Sequence, residues 1–368
     1  CVGGACGAGL GMPAALESGR DRLGHRECYT PGYAAAAMET LARTPLLIDC
    51  DTGIDDALAL LYACASPEAE IAAVSCVAGN VELPHIVRNT LAVMELAGQA
   101  EVEVAAGRDA PIARPLRIAD DTHGPTGLGY AELPAPSREP GPRDAAEMIV
   151  AEARARPGEL TLITLGPLSN VAVALEREPA LPTLLKGLVM MVGAYRSPGN
   201  TAPTMEWNAG VDPEALAATI AGWAATTAPL PIAFGLDVTE RAKMTPEHLA
   251  RLAQVAGDPD DPIVGFVRDA LRFYFEFHSK YDGFYGAFIH DALVVAAALD
   301  PAMATTEALT VEVELQGRWT TGETVTDWRR HWGREPNLAI ATEADSEAFF
   351  ERFVERVGRL ARERRSDR

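Results

Sequence analysis

The chain has 368 residues, 48% of them hydrophobic, and its near-neutral mean hydropathy is typical of a globular protein with a substantial core. Its formal net charge is −20, from 32 basic and 52 acidic residues. This charge repels phosphate backbones and anionic lipid surfaces, so nucleic acid is excluded as an expected partner. No uninterrupted apolar stretch approaches the roughly 18 to 20 residues that a membrane-spanning helix requires, and we expect no membrane partner.

The cysteines are confined to the N-terminal part of the chain, at positions 1, 6, 28, 50, 64 and 76. This distribution is unlike that of a disulfide-stapled secreted domain, and the spacing matches no zinc site. Cys50, Cys64 and Cys76 stand in apolar runs, where cysteine usually acts as a small buried hydrophobe. A reducing, cytoplasmic location fits this pattern best.

Residues 1–43 are rich in Gly, Ala and Arg and show no sustained period. They also lack the apolar central region of a secretory signal peptide. We therefore predict that residues 1–43 form a disordered extension and that residues 44–368 form the functional domain.

From Pro45 onward, short apolar runs alternate with amphipathic stretches. Strands are predicted at residues 46–49, 71–77, 102–105, 160–164, 188–192, 231–234 and 309–315. Helices are predicted at residues 56–65, 85–96, 145–154, 170–176, 213–221, 246–255, 264–278, 291–299 and 346–360. This alternation indicates an α/β fold with a doubly wound, mainly parallel sheet. Because there is no internal repeat and no dividing linker, we expect a single large domain.

Four carboxylates, Asp49, Asp51, Asp55 and Asp56, lie where the first predicted strand runs into the first helix. In a doubly wound sheet the carboxyl ends of the strands are where ligands bind. Carboxylates this close raise each other's pKa unless a cation lies among them, and an oxygen-only ligand set suits Ca²⁺ or Mg²⁺. Helix capping would account for Asp55 and Asp56, but it does not explain Asp49 and Asp51 at the end of a strand.

The string Asp-Cys-Asp-Thr-Gly-Ile-Asp-Asp at residues 49–56 is similar to the N-terminal fingerprint of the inosine/uridine-preferring nucleoside hydrolases, in which proline usually stands where this chain has Thr52. Further segments resemble that family in the family's order along the chain. They are Ala78-Gly79-Asn80, the loop His-Gly-Pro-Thr-Gly-Leu-Gly at 123–129, the strand-turn-helix at 161–170, Gly199-Asn200-Thr201, Met205-Glu206-Trp207-Asn208, and Ile289-His290-Asp291-Ala292. Trp207 departs from the more usual phenylalanine.

The resemblance implies a Rossmann-like nucleoside hydrolase fold and hydrolysis of the N-glycosidic bond of ribonucleosides to free base and ribose. By this resemblance Ca²⁺ is the cofactor, and its protein ligands are Asp51, Asp56, Asp291 and the backbone carbonyl of Leu165. Asp51 would also activate the calcium-bound water, and His290 would assist the leaving base. The other residues implied are Asp55, Asn80, Asn200, Glu206, Trp207 and Asn208 for the sugar, His123 near the nucleobase, and Asp49 in support of the metal ligands.

Other readings of the same residues remain open. The sequence Asp49 to Gly53 also resembles the first motif of haloacid-dehalogenase-type phosphatases, in which Asp49 would be a phosphorylated nucleophile. A catalytically silent nucleoside-binding protein is a further alternative.

Two further expectations concern the wall that contacts the nucleobase and the oligomeric state. Within the aromatic-rich window 266–288, Tyr281, Tyr285 and His278 are the candidates for the wall that contacts the base. The family resemblance also implies a homodimer or homotetramer.

Overall fold

The structure is a computed structural model and describes residues 43–366. The predicted disordered extension, residues 1–43, lies outside this described part apart from its last residue. Among the described helices, none combines the length and the apolar character needed to cross a membrane.

The described residues form strands and helices in an alternating order. The strands are β1 Thr44–Cys50, β2 Ala69–Cys76, β3 Glu103–Ala106, β4 Thr161–Thr164, β5 Gly187–Met191, β6 Ile232–Phe234, β7 Lys243–Met244, β8 Ala287–Phe288, β9 Ala304–Leu309, β10 Val311–Val313, β11 Thr324–Thr326 and β12 Leu338–Ala344. The helices are α1 Ile54–Ala65, α2 Leu83–Leu96, α3 Asp120–His123, α4 Ala145–Ala155, α5 Ser169–Arg177, α6 Leu181–Leu184, α7 Trp207–Val211, α8 Pro213–Ala224, α9 Leu236–Thr239, α10 Pro246–Ala256, α11 Pro262–Tyr281, α12 Asp291–Leu299 and α13 Ser346–Ser366.

Eight of these strands form one sheet in the order β3-β2-β1-β4-β5-β6-β12-β9. All neighbours are parallel except β12 and β9, which pair antiparallel at one edge. Strand order reverses at β1, whose neighbours are β2 and β4. The carboxyl ends on either side of such a reversal leave a crevice where doubly wound folds bind ligands.

Both faces of the sheet are covered, which explains the apolar character of its strands. On β1, Leu46, Ile48 and Cys50 pack with residues of α1, α2, α11, α12 and α13. Leu47 points to the opposite face, where it packs with residues of α4, α5 and α8. A strand buried on both faces shows no polar alternation, so residues 46–48 are apolar throughout.

The predicted α/β fold with a doubly wound, mainly parallel sheet is confirmed, and the first six predicted strands correspond to β1 to β6. The prediction of one strand at 309–315 is wrong. The chain leaves the main sheet after Leu309, and Val311–Val313 pairs instead with β11. The strand β12 was not predicted.

The buried state of the cysteines is confirmed in part. Cys50 and Cys76 are buried free thiols on adjacent strands, whereas Cys64 is only half-buried. Cys1, Cys6 and Cys28 lie outside the described residues.

Candidate active site

A cavity of about 410 Å³ opens at the carboxyl edge of the sheet. It contains most of the residues that the sequence predicts for the site. Those lining it are Asp55, Asn80, His123, Leu165, Asn200, Glu206, Trp207, Asn208, His290 and Asp291. Asp49, Asp51 and Asp56 do not line the cavity and are fully buried. The motifs separated by up to 242 positions, from Asp49 to Asp291, therefore come together in one place.

Backbone and amide groups fix the carboxylates at the turn from β1 into α1. Asp56 Oδ1 accepts a hydrogen bond from the Asp51 N–H at 3.1 Å, and its Oδ2 accepts from the Gly53 N–H at 2.9 Å and from the Asn80 side-chain amide at 3.0 Å. Asp51 Oδ2 accepts from the Asn80 N–H at 2.8 Å. The turn after β2 thus orients both Asp51 and Asp56.

The other oxygen of Asp51, Oδ1, is buried and has no hydrogen-bond partner. Glycine makes this close packing possible. A Cβ atom at Gly79 would lie 2.1 Å from Asp51 Oδ2, and one at Gly166 would lie 2.7 Å from Oδ1. A buried carboxylate oxygen without a donor loses favourable solvation, so this atom is suited to a cation or to a proton that it must accept.

Two further carboxylates, Asp55 and Asp291, line the floor of the cavity and lie close to the buried Asp56. Oxygens of Asp55, Asp56 and Asp291 lie within 4.8 Å of one another. Burial and the charge of Asp56 raise the pKa of Asp55 to about 8. Burial, followed by the charges of neighbouring carboxylates, also raises the pKa of Asp51 and of Asp291 well above the usual range. Such a group favours bound protons or a cation over four free anions.

The structure groups Asp55 with Asp56 and Asp291, whereas the sequence predicts Asp51 in that set and assigns Asp55 to the sugar. Asp56 and Asp291 belong both to the group in the structure and to the predicted ligand set. All the available ligand atoms are oxygens, which suits Ca²⁺ or Mg²⁺ better than a softer metal.

Asp49 lies behind this cluster, away from the cavity. Its Oδ1 accepts hydrogen bonds from the Ser75 hydroxyl at 2.5 Å and from the Asn170 side-chain amide at 2.8 Å. Asn170 also donates to the backbone carbonyl of Cys76 at 3.0 Å. Asp49 therefore ties β1 to β2 and to the start of α5, and burial raises its pKa to about 7. Ser75 and Asn170 were given no role by the sequence reasoning, although Asn170 closes one of the quoted motifs.

On the opposite side of the cavity, the chain from 206 to 208 is held by a buried carboxylate. Glu206 caps α7, where its Oε1 accepts from the Asn208 N–H at 2.7 Å and its Oε2 accepts from the N–H groups of Gly193 and Ala209 at 2.8 and 2.9 Å. Burial nevertheless raises the pKa of Glu206. The side-chain amide of Asn208 donates to the carbonyl of Leu165 at 2.6 Å and to that of Met191 at 3.0 Å. These bonds fix the Leu165 carbonyl that the sequence predicts as a metal ligand.

The amide donors of Asn80 and Asn208 are thus occupied by protein groups. Their side-chain carbonyl oxygens are left to accept hydrogen bonds within the cavity. Asn200 is exposed at the cavity mouth, and the indole N–H of Trp207 is buried without a partner.

Three histidines stand around the cavity. His123 Nδ1 accepts a hydrogen bond from the Ile54 N–H at 3.1 Å, so the ring proton of the neutral imidazole is on Nε2. His290 Nδ1 lies 2.8 Å from the Thr239 hydroxyl, whose own proton goes to the Gly235 carbonyl at 3.2 Å. His290 Nδ1 must then be the donor, which leaves its neutral Nε2 as an acceptor.

The surroundings of two of these histidines favour the neutral imidazole. Burial and the nearby His278 lower the pKa of His123 to about 3. Burial, His278 and His123 lower the pKa of His290 to about 3 as well. The role of His290 beside the leaving base stays a prediction.

The third histidine, His278, was predicted only as a possible base contact, and it lines the cavity together with Tyr281. Tyr285 does not line the cavity; it packs edge-on against Phe275 and is exposed. The sequence reasoning overlooked Thr239, which holds His290, and Asp282, which pairs with His278. The spacing of four residues between His278, at the end of the predicted helix 264–278, and Asp282 was an available signal.

Comparisons with known proteins identify the family of the chain. Residues 46–351 match the family described as inosine-uridine preferring nucleoside hydrolase. The pyrimidine-specific ribonucleoside hydrolase RihA of Salmonella paratyphi B is 37% identical over 315 residues, which cover 85% of this chain and 98% of that protein.

Solved structures give the same result. The purine-preferring ribonucleoside hydrolase from Gardnerella vaginalis superposes with a TM-score of 0.80 at 29% identity, covering 86% of this chain and 99% of its own. An inosine-guanosine nucleoside hydrolase superposes with a TM-score of 0.75 at 28% identity, covering 86% and 98%.

The matched region runs from within β1 past the end of β12 and contains every residue discussed for the site, so the likeness is not confined to a shared sheet. The chain therefore belongs to the inosine-uridine preferring nucleoside hydrolase family and is a nucleoside hydrolase, as the motifs in its sequence predict.

Proposed function

We propose that this chain hydrolyses the N-glycosidic bond of ribonucleosides with Ca²⁺ bound by Asp51, Asp56, Asp291 and the carbonyl of Leu165. The observation that carries the proposal is the buried carboxylate floor of a nucleoside-sized cavity whose far wall contains three histidines. One end of this cavity suits the sugar and a cation, and the other suits a nucleobase.

A cation fits the carboxylates on physical grounds. Several buried carboxylates with raised pKa values surround one another, and Asp51 Oδ1 has no donor of its own. When bound, Ca²⁺ would neutralise these charges and lower the pKa of a water molecule beside Asp51. Asp55 is close enough to share this role, although we assign it to the sugar hydroxyls.

Asp51 is the proposed base that takes the proton from the attacking water. A buried carboxylate with a raised pKa is a stronger base than an exposed one, which favours this transfer. Asn80 holds Asp51 Oδ2, so Oδ1 is the oxygen left to receive the proton. Asp49 contributes by fixing the end of β1 through Ser75 and Asn170.

The ribose is held by Asp55, Asn80, Asn200, Glu206 and Asn208. Asn80 and Asn208 offer side-chain carbonyl oxygens, and Glu206 offers the remaining lone pairs of a carboxylate already fixed by backbone donors. Acceptors that are fixed before binding lose little entropy in the reaction. The carboxylates also stabilise the positive charge that develops on the ribosyl group, as in other glycosidases. Trp207 also lines the cavity.

The base is contacted from the histidine side of the cavity. His123 offers Nε2–H as a hydrogen-bond donor without needing a second proton. His290, held by Thr239 at Nδ1, assists the leaving base by orienting it through Nε2. Because RihA of Salmonella paratyphi B, which is 37% identical to this chain, is named pyrimidine-specific, uridine and cytidine are the first substrates to test.

The phosphatase alternative is disfavoured by the position of Asp49. A phosphorylated nucleophile must face the substrate, whereas Asp49 is fully buried and does not line the cavity. The cytoplasmic location and the homodimer or homotetramer stay predictions.

The proposal is tested by incubating the protein with uridine, cytidine, inosine and adenosine and measuring free ribose, with 4-nitrophenyl phosphate as the comparison substrate. We expect ribose from at least one nucleoside and no phosphate release. Phosphate release without ribose would support the phosphatase reading. Tight nucleoside binding without ribose would support the silent binding protein.

A further inference from the structure

His278 is buried, with 4% of its surface exposed. It lines the cavity together with the aromatic residues Tyr274, Phe277 and Phe288. Its ring packs against Tyr274, Phe277, Phe284 and Phe288, at centroid distances of 4.7 to 5.7 Å. Its Nε2 is buried and has no hydrogen-bond partner. A buried imidazole nitrogen without a partner costs free energy unless a ligand completes it.

The other ring nitrogen of His278 is held by a carboxylate. Nδ1 lies 2.7 Å from Asp282 Oδ2, and the Asp282 N–H donates to the carbonyl of His278 at 2.8 Å. Two bonds therefore tie Asp282 to His278 at the end of α11. A carboxylate beside Nδ1 fixes the ring orientation and stabilises the imidazolium when Nε2 is protonated.

This pairing distinguishes His278 from the two other histidines of the cavity. His123 accepts a backbone hydrogen bond at Nδ1, and protonation there would break it. His290 donates from Nδ1 to a neutral hydroxyl, which gives no charge stabilisation. Of the three, only His278 has a carboxylate partner.

We propose that His278 protonates the departing nucleobase from Nε2 and that Asp282 is its positioning residue. This inference rests on the proposed function, which it deepens by naming the proton donor. The substrates concerned are ribonucleosides whose base leaves only with a proton on a ring nitrogen or carbonyl oxygen.

The proposed step breaks one bond to C1′ and forms another. The bond from C1′ to the base nitrogen breaks, its electron pair goes to the base, and the proton on His278 Nε2 passes to the base. The water oxygen bonds to C1′ and its proton passes to Asp51. Return of a proton from Asp51 to His278 through solvent restores the enzyme, and the sum is ribose plus free base.

Other titratable groups face His278 from every side. These are Tyr274 on α11 and Asp282 directly after its last residue; from α3 it faces His123, and beyond Phe288 it faces His290. Near Asp282 lie Glu240, whose pKa burial and Asp282 raise to about 7, and Lys243, whose ammonium lies 4.9 Å from the Phe284 ring. Burial lowers the pKa of His278, and the Asp282 carboxylate opposes that shift. Removing the Asp282 charge therefore lowers the pKa of His278 further.

The test compares His278→Gln and Asp282→Asn with the unmodified chain on uridine and on 4-nitrophenyl riboside. Nitrophenolate leaves without a proton, so its release does not need the donor. We expect His278→Gln to lower kcat on uridine by about 10²- to 10⁴-fold, with KM and nitrophenyl riboside turnover changed by less than about threefold. Asp282→Asn should lower kcat on uridine by about tenfold and move the alkaline limb of its pH profile to lower pH.

The exposed His331 lies outside the cavity, and His331→Gln is the matched control, expected to change neither rate. Asp282→Glu should restore part of the uridine rate, which a purely structural loss would not allow. Equal losses on both substrates, or an unchanged alkaline limb of the pH profile in Asp282→Asn, would overturn the assignment of His278 but not the proposed function. Failure of the unmodified chain to hydrolyse either substrate would overturn the proposed function and this inference together.

Discussion

At the scale of single residues, hydrogen bonds to neighbouring residues orient Asp51 and His290. Asp51, Glu206 and Asn208 were proposed from the sequence because each stands within a motif. The partners Ser75 and Thr239 were not, because hydroxyls on a strand or a short helix look the same in sequence whether or not they hold a functional group. The tautomers of His123 and His290 depend on such partners, so they required coordinates.

Asp51→Asn should reduce kcat on uridine by about 10²- to 10⁴-fold, because the amide cannot accept the proton of the attacking water. The substitution is isosteric, so the fold should persist. Steady-state kinetics and circular dichroism measure the two effects. The control is Asp109→Asn, which changes an exposed carboxylate outside the cavity; comparable rates for Asp51→Asn and the control would remove Asp51 from the mechanism.

The acceptors proposed for the sugar predict selection for ribose. Removing the 2′-hydroxyl leaves buried acceptors without a donor, and such losses discriminate strongly between substrates. We expect kcat/KM for 2′-deoxyuridine to be at least about 10²-fold lower than for uridine. Values within a factor of three would be inconsistent with the assignments of Asn80, Glu206 and Asn208 to the sugar.

At the scale of elements, strands buried on both faces were predicted well and the antiparallel edge was not. The predicted strand at 309–315 breaks at Thr310, whose hydroxyl donates to the carbonyls of Arg334 and Glu335 at 3.3 and 3.2 Å. The Asn337 side chain bonds both backbone groups of Val311 and so replaces a neighbouring strand there. These partners are more than 20 residues away, and local apolar pattern cannot reveal them.

The strand β12 was missed for a related reason. Leu338–Ala344 contains three alanines and a glutamate, a composition with low strand propensity. It forms a strand because parallel pairing with β6 and antiparallel pairing with β9 stabilise it. Tertiary context outweighs local preference at this edge.

The packing of α13 against α1 gives a test of stability. Phe353 is fully buried, and its ring stacks on Tyr62 at 6.1 Å between centroids. We expect Phe353→Ala to lower the free energy of unfolding by about 3–5 kcal/mol, as for other buried aromatic truncations. Urea unfolding measures this value. Phe353→Leu should cost much less, and an equal cost for both would contradict the role of cavity formation.

At the scale of the whole molecule, the fold class and the convergence of the motifs were both predictable. Parallel strands place their carboxyl ends at one edge, so motifs that follow β1, β2, β4 and β5 must meet there. The division of residues 266–288 between the core and the cavity lining was not predictable, because both kinds of position occur on the same helix and loop.

The domain boundary leads to a prediction for the full chain. The family match begins at residue 46 and β1 begins at Thr44. We propose that residues 44–368 hold the complete catalytic domain, so removal of residues 1–41 should leave kcat/KM for uridine and the Tm unchanged. Loss of activity or a lower Tm in the shortened chain would assign residues 1–41 a structural role.

The central claim is that the carboxylate cluster acts as a calcium-dependent centre for ribonucleoside hydrolysis. The decisive measurement is the rate of ribose release from uridine before chelation, after chelation, and after Ca²⁺ is returned. We predict that chelation reduces the rate by about 10²-fold or more and that Ca²⁺ restores it in the unmodified chain, but not in Asp51→Asn. A rate that is unaffected by chelation would contradict the account.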